Sequence, residues 1–228
     1  NPTEDVWVER EFESEDGGFG VTEVITETEA IPNLRSQNIE FTGYRLKPGT
    51  KYYSSFSRTD MSDNRSLTVP KLIEVTPVKG AFQVGETVIG KLLTNQNSNI
   101  VPEIRFRVAT PNHKEGPYNA PTLSYEASPY DNAGISSSYS DTSTIINVDT
   151  GSLNEKSDER FFGHIVKDMR LVGQTSNAEA QVKEVRLISD KFGALQGSLH
   201  IPDGNPNFSN GSNTVGMRAV KGLSLIHI

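Results

Sequence analysis

The residues best suited to acid–base or metal chemistry in this chain are its four histidines, His113, His164, His200 and His227. A hydrolytic zinc site places two histidines four residues apart on one helix face, with a glutamate beside the first. None of the four lies in that spacing or in another spacing typical of metal ligands. We therefore expect surface or strand positions for these histidines and predict no metal site.

Motifs for nucleophilic catalysis and phosphate binding are equally absent from the sequence. The chain has no cysteine, which excludes disulfides, thiolate metal sites and a cysteine nucleophile. No Gly-x-Ser-x-Gly elbow, P-loop or dinucleotide-binding glycine motif occurs. The glycine-rich residues 17–20 are followed by neither a lysine nor a helix signal, and so predict a turn. No pair among the 29 acidic residues stands out as the two carboxylates of a glycan hydrolase. We predict no catalytic residue, no cofactor and no enzymatic activity.

Four glutamates alternate along the N-terminal segment: Glu9, Glu11, Glu13 and Glu15. In a β-strand they share one face at intervals of roughly 6.6–6.8 Å. Carboxylates attract Ca²⁺, but this ion needs six to eight oxygen ligands that converge on one point, and a linear row does not converge. The favoured interpretation is an edge strand whose charge discourages pairing with other chains. A calcium site is the alternative.

Length and composition favour a globular protein without nucleic-acid or membrane partners. The chain has 228 residues, a hydrophobic fraction of 34% and a net charge of −7, which suits one large domain or two small ones. Nucleic-acid binding needs a basic surface that displaces counterions from phosphates, and an acidic chain argues against it. No apolar run reaches the length of a membrane span. We therefore predict neither a nucleic-acid partner nor membrane insertion.

Apolar and polar residues alternate at the two-residue period of β-strands, as in residues 6–12, 82–88 and 180–187. Turn residues interrupt these runs at KPGT, VKG, SDKFG and PDGNPN. The pattern predicts a mainly β fold, made of small antiparallel β-sandwich or β-barrel-like modules with turn-rich connectors. At most one or two short helices are expected. Ser152 and Glu155 match a capping box and predict a helix over residues 153–160, with a loop as the alternative.

The N-terminal β module predicted over residues 1–75 contains a corner pattern. Residues 46–52 read Leu-x-Pro-x-Thr-x-Tyr, which resembles the corner before a late strand of fibronectin type III and immunoglobulin-like sandwiches. In that corner a buried tyrosine hydroxyl bonds to upstream backbone and fixes the crossing between the sheets. We predict this role for Tyr52, with Leu46 in the core.

The β region predicted over residues 76–221 contains a candidate internal duplication, in which residues 76–108 correspond to residues 161–202. Residues 88–90 align with 171–173, residues 98–100 with 176–178, and Glu103–Arg107 with residues 184–188. The spacing between the last two blocks differs by three residues, which a hairpin loop tolerates. Chance similarity between short β-hairpins is the alternative.

Residues 109–151 form a connector between these two copies, rich in Ser, Thr, Pro, Asn and Tyr. Alone, such a segment buries too little apolar surface to offset the entropy lost on ordering it. We expect an extended connector that is ordered by neighbouring subunits of an assembly. The aromatic residues considered for stacking on sugars are Trp7 and the connector tyrosines Tyr118, Tyr125, Tyr130 and Tyr139.

Three motifs carry a resemblance to known proteins. Residues 137–153 read SSYS-x-TSTI-x-NVDT-x-SL, residues 173–190 read G-x-TS-x-A-x-A-x-V-x-x-x-RLI-x-D, and residues 197–203 read G-S-x-x-IPD. They resemble the large virion structural proteins of contractile-tailed phages, especially the myoviruses of marine cyanobacteria. The similarity also runs through residues 18–53 and 69–90, and so covers most of the chain.

The resemblance implies a fragment of a phage virion structural protein, from the tail, baseplate or fibre apparatus, with an assembly or attachment role and no catalysis. The expected location is the virion. The expected partners are other virion proteins, further copies of the chain and a host-surface glycan. The alternatives are a carbohydrate- or receptor-binding module of a tail fibre, a tail-associated glycan hydrolase and a bacterial surface adhesin. A solvent-facing aromatic cluster favours binding, whereas packed rings favour structure.

The last six residues, 223–228, read LSLIHI and lack the turn residues of the preceding sequence. They resemble translated sequencing-adapter read-through. We interpret them as a non-native tail, with a genuine final strand as the alternative. Together with a first residue other than methionine, this tail favours a truncated reading frame from environmental DNA.

Overall fold

The computed structural model describes residues 36–56, 59–60, 67–92, 103–154, 161–202, 215–219 and 226–227, together with the backbone of four strands before residue 30. All the strand pairings in these residues are antiparallel. The prediction of a mainly β fold built from antiparallel sheets is therefore confirmed. In the described part of the chain, no helix has the length and apolar character needed to cross a membrane.

The largest sheet has seven strands, numbered like all others in chain order. Its spatial order is β14 (Ile145–Asn147), β9 (Leu72–Lys79), β17 (Glu179–Glu184), β16 (Arg170–Gly173), β10 (Thr87–Lys91), β11 (Glu103–Arg107) and β15 (Phe162–Gly163).

One face of this sheet covers the main hydrophobic core. On β9, the side chains of Ile73 and Val75 are buried while that of Glu74 between them is partly exposed. Ile104 and Phe106 on β11 alternate in the same way. Fully burying an aliphatic or aromatic side chain contributes about 1.5–3 kcal/mol, so this alternation accounts for which face of the sheet turns inward.

The centre of the seven-stranded sheet has a two-fold symmetric pairing. On β10 and β16, Val88 lies opposite Gly173, Gly90 opposite Leu171, and Ile89 opposite Val172. These are the residues that the sequence aligned as copies of each other: Ile89 faces its own counterpart, and Val88 and Gly90 each face the counterpart of the other.

The strands that follow do not keep the predicted alignment. Val88 pairs with Phe106 on β11, and the counterpart of Val88, Leu171, pairs with Ala180 on β17. In the strand pairing, Phe106 therefore occupies the position equivalent to Ala180. The sequence alignment had instead made Leu187 the counterpart of Phe106. Measured by these pairings, the third block of the predicted duplication, residues 103–107 against 184–188, is displaced by seven residues.

A second group of sheets joins early and late parts of the chain. One has the order β5 (Gln37–Gly43), β19 (Leu195–Ile201) and β8 (Thr68–Pro70). Another has the order β18 (Leu187–Ile188), β6 (Lys51–Phe56), β20 (Val215–Arg218) and β21 (Ile226–His227), with β7 (Thr59–Asp60) also paired to β6. The predicted boundary between residues 75 and 76 falls inside β9, and strands before it pair with strands after it.

The remaining strands form two-stranded sheets: β12 (His113–Glu115) with β13 (Leu123–Ser124), β1 (Glu4–Glu9) with β4 (Val24–Glu29), and β2 (Phe12–Glu13) with β3 (Phe19–Gly20). Glu9 and Glu13 of the predicted acidic row lie on β1 and β2, but the side chains of the row are outside the described residues, as are residues 17 and 18 of the predicted glycine turn.

Tyr52 has the geometry predicted for a corner tyrosine. Its ring is 4% exposed, and its hydroxyl accepts a hydrogen bond of 3.1 Å from the backbone N–H of Lys47. Leu46 packs against the same small core as Tyr52, which also contains Leu187 and Leu195. The predicted burial of Tyr52 and its bond to upstream backbone are confirmed.

The one helical segment among the described residues is a 3₁₀ helix, Thr150–Asn154. Ser152 lies inside it rather than at its start, and the Ser152 hydroxyl donates to the carbonyl of Asp149 at 2.6 Å. The capping-box prediction therefore misplaced Ser152. Residues 155–160, over which the predicted helix extends, lie outside the described residues.

The predicted non-native tail contributes Ile226 and His227 to the edge of a sheet. These residues of β21 pair with Met217 and Gly216 of β20. The side chains of residues 223–228 are outside the described residues, so the interpretation of the tail stays a prediction.

Candidate functional site

The predicted histidines do not meet at one site. His164 and His200 stack with ring centroids 5.6 Å apart, whereas His113 lies on β12, away from both, and the side chain of His227 is outside the described residues. Within the described ranges, no three His, Asp or Glu side chains are grouped closely enough to hold a metal ion.

Burial disfavours the protonated form of the stacked imidazoles of His164 and His200. It lowers the pKa of His164, and, together with the charge of His164, it lowers the pKa of His200 to about 4. The Asn38 carboxamide joins them to the backbone: its oxygen lies 3.1 Å from His200 Nδ1 and accepts from the Gly163 N–H at 3.2 Å. The pair therefore fastens β19 to the segment after β15.

A second buried polar cluster involves Lys71, His113 and Asn147. Lys71 Nζ donates to the Val148 carbonyl at 3.2 Å, and burial lowers the pKa of Lys71 to about 8. Burial, and then the charge of Lys71, lowers the pKa of His113. The Asn147 amide donates to the carbonyls of Pro111 and His113 at 3.1 and 2.7 Å. The Asn147 amide therefore ties the start of the connector to β14.

The connector tyrosines are anchors rather than a solvent-facing patch. The Tyr130 hydroxyl donates to the carbonyl of Leu72 at 2.6 Å. The Tyr139 hydroxyl donates to the Ala109 carbonyl at 2.8 Å and accepts from the Asn147 N–H at 3.0 Å. Each ring therefore holds the connector to the chain's own core.

The other predicted stacking residues are also occupied or not described. The ring of Tyr125 is 7% exposed, and the ring of Tyr118 lies 4.3 Å from the guanidinium carbon of Arg107. The side chain of Trp7 on β1 lies outside the described residues. Rings packed in this way favour a structural role for the connector over sugar stacking.

A cleft with a volume of about 370 Å³ lies where three segments of the described part of the chain meet. Three segments form its walls: the corner loop with Pro48 and Gly49, the connector loop of residues 124–132, and the DKFG turn of residues 190–193 preceded by Ser189. This volume lies in the range of small-molecule sites, roughly 300–1,000 Å³.

A buried ion pair fixes the floor of the cleft. Lys114 Nζ lies 2.5 Å from Asp190 Oδ2, and both side chains are less than a tenth exposed. The other carboxylate oxygen of Asp190 accepts from the backbone N–H groups of Phe192 and Ala194 at 2.9 and 2.8 Å. The carboxylate therefore shapes the DKFG turn while it neutralises the lysine.

The corner loop and the DKFG turn are held together by backbone bonds. Leu46 N–H donates to the carbonyl of Gly193 at 3.0 Å, and the Ser189 hydroxyl donates to the carbonyl of Lys47 at 2.6 Å. Gly193 has a φ of +74°, and a Cβ there would lie 2.2 Å from the Leu46 carbonyl oxygen. Only glycine fits this position, so the close approach of the two walls depends on it.

Aromatic rings flank the lysine at the floor of the cleft. Lys114 Nζ lies 5.4 Å from the ring centroids of both Tyr125 and Phe192. The Phe192 ring is 69% exposed, and the Tyr44 ring, which follows β5, is 61% exposed. Burial, and then the nearby charge of Asp190, raises the pKa of the Tyr125 hydroxyl, which stays protonated. The cleft therefore combines a buried phenol with an open ring at its rim.

Sequence reasoning did not select Lys114, Asp190 or Phe192. The run SDKFG was interpreted only as a turn, and that is correct, because Asp190 and Gly193 close it with an N–H to carbonyl bond of 3.0 Å. The one signal in the sequence was Phe192, an aromatic residue inside a turn, where an aromatic side chain is not expected to reach the core. The lysine partner lies 76 residues away, so no local pattern links it to the turn.

No protein-family model, curated protein or solved structure matches this chain.

Proposed function

We propose that this chain is a structural part of the tail apparatus of a contractile-tailed phage, with a role in assembly or attachment and no catalysis. The proposal rests on the three motifs that resemble virion structural proteins, read together with the places that those residues take in the fold.

The residues of the first motif act as framework. They contribute β14, the buried Asn147 amide and the 3₁₀ helix. Asp149 of this motif binds Arg107 at 2.7 Å, which joins the motif to β11. A stretch of Ser, Thr and Asn therefore serves as a structural joint rather than a reactive surface.

The second motif also has an architectural role. Ser176 donates its hydroxyl to the buried carboxylate of Glu86 at 2.8 Å, and the N–H groups of Thr175 and Ser176 donate to the same carboxylate at 3.0 Å. A Cβ at Gly173 would lie 2.7 Å from either Glu86 oxygen. The Gly-x-Thr-Ser pattern therefore supplies the hydrogen-bond donors that bind the Glu86 carboxylate and the space that this carboxylate occupies.

The non-catalytic part of the proposal is supported by the pairing of charges in the cleft. A glycan hydrolase needs one carboxyl group to act as an acid and a second to act as a base or nucleophile. The two carboxylates that line this cleft, Asp190 and Glu126, form ion pairs with Lys114 and Lys191. A cleft neutralised in this way suits contact and attachment better than acid–base catalysis.

The genes on either side of the coding sequence test the proposal. We expect tail-sheath, baseplate or fibre genes next to it, because phage structural genes are transcribed as blocks. Genes for a bacterial secretion or surface-anchoring system in both flanks would contradict the virion role and favour the adhesin.

A further inference from the structure

Building on the attachment role proposed above, we propose that the cleft binds a neutral saccharide, which stacks on the ring of Phe192 and receives hydrogen bonds from Ser124 and Asn132.

The walls of the cleft are preformed. In the connector loop, Ser128 N–H donates to the Ala133 carbonyl at 2.7 Å, and Asn132 N–H donates to the Ser128 carbonyl at 2.8 Å. A β-bridge between Ala127 and Gly134 closes the base of the loop. Because these bonds exist before a ligand arrives, binding would cost little ordering of the protein.

The charges of the cleft disfavour an ionic ligand. An anion at the floor would have to compete with Asp190 for Lys114, and a cation would have to compete with Lys114 for Asp190. Removing one partner from a buried pair is costly, because it leaves the other charge buried without compensation. The second pair, Lys191 with Glu126, also has no net charge. A neutral ligand leaves both pairs intact.

The groups left open are those that a sugar uses. The Phe192 ring is 69% exposed, and the negative face of an aromatic ring attracts the weakly positive C–H groups of a pyranose. Within the described residues, the side chains of Ser124 and Asn132 make no hydrogen bond, although both line the cleft. A hydroxyl and a carboxamide supply donors and acceptors for sugar hydroxyls without adding charge.

Two lysine ammonium groups lie near the ring of Phe192. Lys191 Nζ and Lys114 Nζ lie 5.0 and 5.4 Å from its centroid. Cation–π contacts of this length are weakly attractive at an exposed site, and Phe192 remains 69% exposed. An exposed ring of this kind is a stacking platform rather than a core residue.

Saturation-transfer NMR with the purified chain tests the inference. The probes are glucose, galactose, mannose, N-acetylglucosamine and their β-linked disaccharides at millimolar concentration, with glucuronate as the charged comparison. We expect transfer to at least one neutral sugar and weaker transfer to glucuronate. Phe192→Ala should weaken binding by about tenfold or more. Asn132→Gly, which removes the carboxamide and suits the positive φ of +61° at this position, should weaken it to a smaller extent.

Phe162→Ala is the matched control. Phe162 is also an exposed ring, 37% accessible, with the Arg105 guanidinium 5.6 Å from its centroid, but it lies on β15 and does not line the cleft. This variant should bind like the parent, and circular dichroism should give the same spectrum for all variants. The inference is wrong if no neutral sugar receives saturation, if glucuronate binds best, or if Phe192→Ala and Phe162→Ala behave alike.

The two proposals fail separately. A chain flanked by tail genes that binds no sugar retains the virion role and loses the saccharide site. A chain that binds a sugar through Phe192 but is flanked by genes of a bacterial surface system retains the site and loses the virion role.

Discussion

Lys114 and Asp190 lie 76 residues apart in sequence, yet their side chains meet at 2.5 Å in the interior. Lys114 belongs to β12 in the connector, and Asp190 begins the DKFG turn. The pair joins the connector to the sheets formed by early and late parts of the chain. It also sets the distance between two walls of the cleft, so stability and the candidate site depend on the same contact.

Asp190→Asn should lower the free energy of unfolding by about 3–5 kcal/mol, because it leaves the buried ammonium of Lys114 without a counter-charge. The asparagine oxygen still accepts from the Phe192 and Ala194 N–H groups, while its NH2 group replaces the oxygen that accepted from Lys114, so the change removes the counter-charge and this hydrogen bond together. Denaturant unfolding measures the loss as a shift of the midpoint at constant slope. Lys183→Met is the control, since Lys183 is 61% exposed in its pair with Glu74 and should cost less than about 1 kcal/mol. Equal losses in the two variants would contradict the structural weight given to the buried pair.

Tyr52→Phe should cost on the order of 1 kcal/mol, the usual net contribution of one hydrogen bond. The substitution keeps the buried ring and removes the hydroxyl that accepts from Lys47 N–H. Tyr44→Phe serves as the comparison because its ring is 61% exposed, and its stability should match the parent. A Tyr52→Phe protein as stable as the parent would contradict the stabilising role of the Tyr52 hydroxyl in the corner.

Gly193→Ala should be far more destabilising than Gly49→Ala. Both glycines have positive φ, +74° and +58°, so alanine at either position costs about 1–2 kcal/mol of backbone strain. At Gly49 the added Cβ meets nothing within 4 Å, whereas at Gly193 it meets the Leu46 carbonyl oxygen at 2.2 Å. The melting temperature of Gly49→Ala reports backbone strain alone, whereas that of Gly193→Ala reports backbone strain and the steric clash together. Similar melting temperatures would show that the corner loop and the DKFG turn can separate without cost.

Acidification from pH 6.5 to about 4 should destabilise the fold through the stacked histidines. The unfolded chain binds protons on His200 with a pKa near 6.5, whereas the folded chain does so only near 4. In that window the unfolded state holds more protons, so the free energy of unfolding falls as pH falls. The contribution of His200 is on the order of 3 kcal/mol. His200→Gln should lose less stability than the parent between these pH values. An unchanged pH dependence in His200→Gln would assign the acid loss to other groups.

The β character and the inward faces of the strands were predictable because they follow from local alternation. Ile73 and Val75 point inward on β9, and Glu74 does not, as a two-residue period requires. Tyr52 was predictable for the same reason, since its partner Lys47 is only five residues away. Local spacing decides both features, so the sequence contains them.

The cleft was not predictable because its parts come together only through the fold. Sequence reasoning treated the connector tyrosines as candidates for sugar stacking, but Tyr130 and Tyr139 bond to carbonyls of the chain's own backbone. The exposed ring at the cleft is that of Phe192, which the sequence analysis interpreted only as part of a turn. The exposed fraction of an apolar side chain depends on which distant segments pack over it. The same residue type is therefore a core residue in one place and an exposed ring in another.

The location of the chain in a phage particle is the central claim, and gold-labelled antibodies raised against the purified protein test it most directly. The particles to label are those of a contractile-tailed cyanobacterial phage whose virion protein carries the SSYS-x-TSTI-x-NVDT run of residues 137–150. The account predicts gold on the tail, baseplate or fibres of intact particles and none on the capsid. Particles that stay unlabelled while the denatured virion proteins also fail to bind the antibody would contradict it.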